Sequence, residues 1–149
     1  MSLAMVRARA ALGMDAPPVD VEVHLGGGLP SFSIVGLPNT ALREARDRVR
    51  GALTTSGFEF PRRRITVNLS PADLPKDGAL FDLAIALGIL AASGQLKSTS
   101  LQGGVFSAEL ALSGALRPVP GTLPVAVRCT QASEWLVVAA DNGEEAALG

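Results

Sequence analysis

The sequence predicts an α+β (mixed α/β) domain with helices packed on one mixed sheet, and three observations carry that expectation. "VDVEVHL" and "RRRITVNL" alternate apolar and polar residues with the period of a half-buried strand. "PNTALREARDRVRGALTTSG" repeats its apolar residues at helical spacing. "LFDLAIALGILAASG" is apolar nearly all round, the pattern of a short helix covered on several sides. Strands and helices that mix in this way belong to a layered α/β architecture rather than to a bundle or a sandwich.

Along the chain, "MVRARAAL" suits a first strand, with Val6, Ala8 and Ala10 on one face and Arg7 and Arg9 on the other. In "VDVEVHL", Val19, Val21, Val23 and Leu25 face the core while Asp20, Glu22 and His24 face away. "GGGLP" is expected to form a hairpin turn into a third strand, "SFSIVG". The clearest helix follows. Asn39 or Thr40 can cap it, because a side-chain oxygen there accepts from an orphan backbone N–H. Leu42, Ala45, Val49 and Leu53 make its core stripe, and Glu44 and Arg48 form an i,i+4 pair in the favourable order. Gly57 ends it, since glycine takes the left-handed conformation at little cost.

"RRRITVNL" then buries Ile65, Val67 and Leu69. After a corner, "SPADLPKDGA", the apolar helix runs to Gly94 and is too short for a membrane span, which needs about 20 residues. Asp82 at its mouth is expected to cap it. "GVFSAELALSGALRPV" reads as two short strands around a Ser113-Gly114 turn. "TLPVAVRCTQAS" reads as a helix with Thr122 as cap and Pro124 in the first turn. "EWLVVAA" is a last strand, and "AADNGEEAALG" reads as the beginning of a short helix, as in a piece of something longer.

Composition narrows the function. With 149 residues, 48 % of them apolar, the chain can bury the core of one domain. Thirteen Lys+Arg against 14 Asp+Glu leave a net charge near −1, so nucleic-acid binding would need a local basic patch. The single cysteine, Cys129, excludes an internal disulfide and fits a reducing, cytoplasmic setting. No G-x-x-x-x-G-K-[ST] occurs, and "GGGLPS" is followed by neither lysine nor helix, so no nucleotide site is expected in this chain. His24 is the only histidine and lies in an ordinary strand, which leaves neither a metal cluster nor a Ser-His-Asp triad.

Two features point towards chemistry. The Lys-Asp-Gly corner places Lys76 near Ser70, as a Ser-Lys dyad would need, although Ser70 ending a strand and Lys76 standing in solvent is the favoured reading. The second is a run of arginines. Arg43, Arg46 and Arg50 share a helix face, and Arg62, Arg63 and Arg64 open the next strand. Together they are expected to make a positive patch for phosphates or an acidic protein surface. No aromatic residue interleaves them, so base stacking has no support at this level.

"GLPSFSIVGLPNTALREARDRVRGAL" and "SGFEFPRRRITVNLSPADLPKDGALFDLAIALGILAASG" resemble the N-terminal domain of the ComM/YifB family, competence-associated AAA+ ATPases that are magnesium-chelatase-subunit-I-like. The resemblance runs from about residue 6 to the end, through "GALRPVPGTLPVAV" and "LVVAADNGEEAAL". It implies a single Lon-protease-domain-like unit over residues 1–149 with the ribosomal-protein-S5-domain-2-like fold, followed in the full-length protein by an AAA+ module. ATP and Mg²⁺ would belong to that module, with DNA and neighbouring subunits of a homo-hexamer as partners, no membrane, and branch migration during natural transformation as the role.

The same resemblance speaks to the corner. Lon proteases carry Pro-Lys-Asp-Gly-Pro-Ser-Ala-Gly, with the serine as nucleophile and a lysine from a later segment as its partner. Pro75, Lys76, Asp77 and Gly78 match, but Leu80 stands in the serine's place, and "GALRPVPGTLPVAV" has no lysine. The resemblance therefore implies no peptidase chemistry. Read from the residues themselves, Arg43, Arg46, Arg50, Arg62, Arg63, Arg64 and Lys76 are the candidate contacts to DNA or a partner. A Lon-like peptidase with an unconventional residue and a purely structural oligomerisation domain stay open beside it.

Overall fold

The alternating segments meet in one six-stranded sheet, described by a computed structural model over residues 2–74, 76 and 78–149. Its strands are β1 (Ser2–Arg9), β2 (Pro18–Gly26), β3 (Ser31–Val35), β4 (Arg64–Ser70), β5 (Gly104–Ser107) and β8 (Trp135–Val138), in the order β3-β4-β2-β1-β5-β8. β1 and β2 pair antiparallel, as do β2 and β4, while β3–β4, β1–β5 and β5–β8 are parallel. Within the sheet only β2 therefore runs against the other strands.

The helices are α1 (Asn39–Thr55), α2 (Asp82–Ala92), α3 (Thr122–Gln131) and α4 (Gly143–Ala147). α1 links β3 to its parallel neighbour β4, and α3 links β5 to β8 in the same way. A small separate ladder, β6 (Glu109–Leu110) with β7 (Leu116–Arg117), closes around the Ser113-Gly114 turn. The expected pair of strands in residues 104–119 is thus three: "GVFS" enters the main sheet, and only two residues on each side form the hairpin.

A second expectation fails at "GGGLP". β2 and β3 are not hydrogen-bonded neighbours, because β4 lies between them, paired to both. The turn does reverse the chain, but the register Val23↔Val67 and Ile34↔Val67 gives β2 and β3 a common partner rather than each other.

Pleating sorts the side chains. Val6 and Ala8 of β1, Val21 and Val23 of β2, and Ile65 and Val67 of β4 turn to one face, where α1 and α2 lie over them. α2 sits centrally, with Phe81, Ile85 and Ile89 fully buried in this core. Burying each contributes about 1.5–3 kcal/mol relative to an exposed position. Gly88 lets the helix come close: a Cβ there would lie 2.5 Å from Val23 Cγ2 and 3.5 Å from Val6 Cγ2. On the opposite face α3 makes a smaller core with Ala16, Val105 and Leu136 through Val125 and Cys129. Elsewhere on that face Leu3, Met5 and Val35 stay exposed.

Helix ends differ from expectation in three places. Pro38, not Asn39 or Thr40, is the N-cap of α1, and no side-chain cap is made; Pro38 O instead accepts from Leu42 N–H. Thr122 is the first residue of α3 behind Gly121, and its hydroxyl donates to Val119 O instead of accepting. Asp82 does not cap α2, whose N-cap is Phe81. Gly57 does end α1, at φ +86°, with Phe58 N–H returning to Leu53 O.

Candidate functional site

The corner between β4 and α2 is built as a junction. Gly78 takes φ +80°, which permits the bend. Leu80 and Phe81 then enter the core. The backbone is tied across to residue 108: Ala108 N–H donates to Leu80 O at 3.1 Å, and Leu83 N–H donates to Ala108 O at 3.2 Å. Leu80, where the Lon resemblance puts a nucleophile, is thus a buried hydrocarbon with its carbonyl in a backbone ladder.

Lys76 is not the solvated side chain expected. It is 5 % exposed, and its Nζ donates to Leu74 O at 2.9 Å rather than to Ser70. Pro75 and Asp77, the other parts of the corner motif, lie outside the described residues.

Asp82 has the role that its neighbours in sequence could not reveal. Arg48 of α1 reaches it with two hydrogen bonds, Nε to Oδ2 at 2.6 Å and Nη2 to Oδ1 at 3.2 Å. Leu110 N–H donates to the same Oδ2 at 3.1 Å. One buried carboxylate therefore joins α1, α2 and β6. Burial pushes this carboxyl above the usual aspartate range, while Arg48 and the Leu110 N–H pull it the other way without cancelling the rise. Glu44 still approaches Arg48, at 3.7 Å, but from an exposed position.

The six arginines divide. Arg50, Arg62 and Arg63 line one surface depression of about 1030 Å³ between the C-terminal half of α1 and the segment before β4. Arg46 is diverted to the fold, donating to Phe32 O at 3.1 Å. Arg43 is exposed on α1, away from the depression's lining, and Arg64, which alternates with buried Ile65, belongs to the opposite face of the sheet.

No aromatic interleaves the arginines in sequence, but the fold brings two beside them. Phe58 and Phe60 line the same depression. The Arg50 guanidinium lies 4.9 Å from the centre of the Phe60 ring, whose centroid is 5.5 Å from that of Phe32. Such a cation over a ring face is attracted by the ring's quadrupole. The signal was in "GFEFPRRR", where the phenylalanines directly precede the arginines. What no local pattern shows is that α1 brings Arg50 over them.

Gly26–Gly28 lead into β3, not into the first turn of a helix, and no lysine follows, so this glycine run is not built as a phosphate-binding loop. His24 pairs in the sheet opposite Leu3 and Thr66. Among the described residues no helix is long and apolar enough to cross a membrane.

Comparison with known proteins adds lineage to this geometry. The family model for subunit ChlI of Mg-chelatase matches residues 21–142. Over 148 residues the chain is 52 % identical to the Uncharacterized protein YifB of Salmonella typhimurium and 52 % identical to the Competence protein ComM of Haemophilus influenzae. Each match takes in 99 % of this chain and 29 % of the relative. A protein of Mycobacterium tuberculosis is 42 % identical over 150 residues, which is 30 % of its length. The chain thus spans less than a third of the curated relatives it matches.

Proposed function

The chain belongs to the ComM/YifB family of proteins related to subunit ChlI of Mg-chelatase, and from that premise we propose that it is a non-catalytic, N-terminal accessory domain of a competence-associated AAA+ ATPase acting on DNA. In this reading ATP and Mg²⁺ are handled outside residues 1–149, and the full-length protein assembles as a homo-hexamer for branch migration. The domain's part is to hold DNA near the ring by phosphate contacts that ignore sequence.

The observation that carries the reading is the gathering of Arg50, Arg62 and Arg63, from two separate stretches of sequence, on one open depression of a domain with a net charge near −1. Three phosphate contacts imply a weak interaction for one copy, with a log–log salt slope of roughly −2 to −3. Six linked copies would raise the effective affinity without any new contact. The corner supports the non-catalytic part: leucine at position 80 offers no nucleophile, and Lys76 is engaged with a backbone carbonyl.

Fluorescence anisotropy with labelled DNA across a salt series tests the role. Binding should weaken steeply with salt and be lost when Arg50, Arg62 and Arg63 are all changed to Ala. Binding indifferent to both salt and substitution would refute it. A second reading, subunit assembly, draws on the sheet face left open beside α3, where Leu3, Met5 and Val35 are exposed. Light scattering that shows self-association abolished by Met5→Glu, with no DNA binding, would favour that reading instead.

A further inference from the structure

We propose that the depression beside α1 takes single-stranded nucleic acid in preference to duplex, with one base laid on Phe58 and the flanking phosphates held by Arg50, Arg62 and Arg63; the inference deepens the DNA-holding role above and rests on it. The two phenylalanines of the lining are not equivalent. Phe60 is already engaged, by the Phe32 ring at 5.5 Å and by the Arg50 guanidinium at 4.9 Å. Phe58 is 42 % exposed and, among the described residues, has no aromatic partner. One ring therefore fixes an arginine at the wall, and the other is left as a platform.

The platform is held in place from below. Gln95 Oε1 accepts from the Glu59 N–H at 3.0 Å, while its Nε2 donates to Glu59 O at 2.8 Å and to Ser93 Oγ at 2.9 Å. This clamps the backbone of the residue between the two phenylalanines. On the other side Phe58 N–H donates to Leu53 O at the end of α1. With the Phe58 N–H and the Glu59 backbone both held, little backbone ordering is left to be lost when a base stacks on the ring.

Charge and stacking together select the ligand. Three arginines against Glu59 leave the lining net positive, which suits a run of phosphates. Phosphate contacts alone would not distinguish single strand from duplex. A phenyl ring does, because duplex bases have their faces covered and exposing one costs a few kcal/mol of unstacking. Single-strand bases are offered free, and each base stacked on an aromatic side chain contributes about 1–3 kcal/mol. An acidic peptide would meet the arginines but would leave the Phe58 face unused.

The test is anisotropy of the 149-residue chain with labelled oligothymidylate, a duplex of equal length, and two competitors, inorganic polyphosphate and polyglutamate. Oligothymidylate should bind more tightly than duplex. Phe58→Ala should weaken it roughly 5- to 150-fold, while the strength of polyphosphate competition, which needs no base, stays the same. Phe58→Trp should restore the affinity and report the stack by quenching of the new indole, with Trp135→Phe as the background. Single-strand binding that is lost with the arginines but unmoved by Phe58→Ala would overturn the stacking inference and leave the phosphate role standing. No salt-dependent binding to any nucleic acid would overturn both. Polyglutamate competing as well as oligothymidylate would overturn the choice of nucleic acid in favour of an acidic protein.

Discussion

Gly88→Ala sets two opposed effects against each other at one atom. In a helix interior, alanine is favoured over glycine by about 1 kcal/mol. Here the added Cβ would lie 2.5 Å from Val23 Cγ2, 3.4 Å from Val23 Cβ and 3.5 Å from Val6 Cγ2. Carbon atoms in good contact sit about 3.5–4.0 Å apart, so the overlap with Val23 is close to an ångström. Val23 has nowhere to retreat: it is fully buried on β2, which is paired with β1 on one side and β4 on the other. Its branched Cβ also restricts the rotamers open to it.

Overpacking costs about 1–3 kcal/mol, and an overlap of this size against a buried side chain belongs in the upper part of that range, about 2–3 kcal/mol, so a net loss of about 1–2 kcal/mol remains after the propensity gain. For a chain of this size that lowers Tm by about 2–8 °C. Urea and thermal unfolding followed by circular dichroism measure it. Gly51→Ala in α1 is the matched control. Its Cβ would meet Leu112 Cδ2 at 2.7 Å, but that is the tip of a side chain 61 % exposed, free to swing away. The same substitution should there stabilise by about 0.5–1 kcal/mol. Val23→Ala combined with Gly88→Ala should cost less than the sum of the two singles. Gly88→Ala as stable as the parent would refute the reasoning, since it would mean that the helix is not held against the sheet at that point.

Removing the partners of the Arg48–Asp82 pair should be unequal in effect. Arg48→Met strands a buried carboxyl and should cost about 3–5 kcal/mol, whereas Asp82→Asn leaves an arginine that can turn towards water and should cost less; chemical denaturation of the two variants decides the order. The Arg48→Met penalty should also shrink on acidification from neutral pH towards about pH 4. A folded-state carboxyl raised above its unfolded value binds the extra proton, so its contribution is full below the unfolded pKa and is lost as pH rises through the folded one. Cys129 is buried, with burial the first cause of a raised thiol pKa. It should react with a chromogenic disulfide reagent only as fast as the domain opens, and rapid labelling of the native chain would contradict that placement. Casein turnover should be nil, and any activity abolished by Lys76→Ala would reopen the peptidase reading.

What the sequence disclosed and what it hid divide along the range of the interaction. The alternation of Val19–Leu25 and Ile65–Leu69, the stripe of α1 and the all-round apolarity of α2 are local periodicities, and each element formed where they placed it. The hairpin at "GGGLP" was misjudged because the true partner of β2 arrives only at Arg64, after a helix has intervened. Asp82 looked like a cap because caps are a short-range pattern, while Arg48 lies 34 residues away. Lys76 looked solvated because charge usually is; nothing in its neighbourhood announced its burial or its bond to Leu74 O. The arginines were visible as a cluster, but only the packing of α1 over residues 58–63 separates the three that share an opening from the three that do not.

Strand order also bears on how the chain is made. β1 and β2 leave the ribosome before the strands that flank them and can zip into a hairpin at once, yet a lone two-stranded ribbon is marginal in water. Both of its outer edges wait: β4 must cover one, and β5, starting at Gly104, must cover the other. At about 5–20 residues per second, a valine-rich ribbon is exposed for several seconds before either side closes. A nascent chain in that state presents two open sheet edges to its neighbours on a polysome. The topology that makes β1 and β2 the centre of the finished sheet thus makes them the most association-prone part of the unfinished one, and delays commitment to the native sheet until β5 has been made.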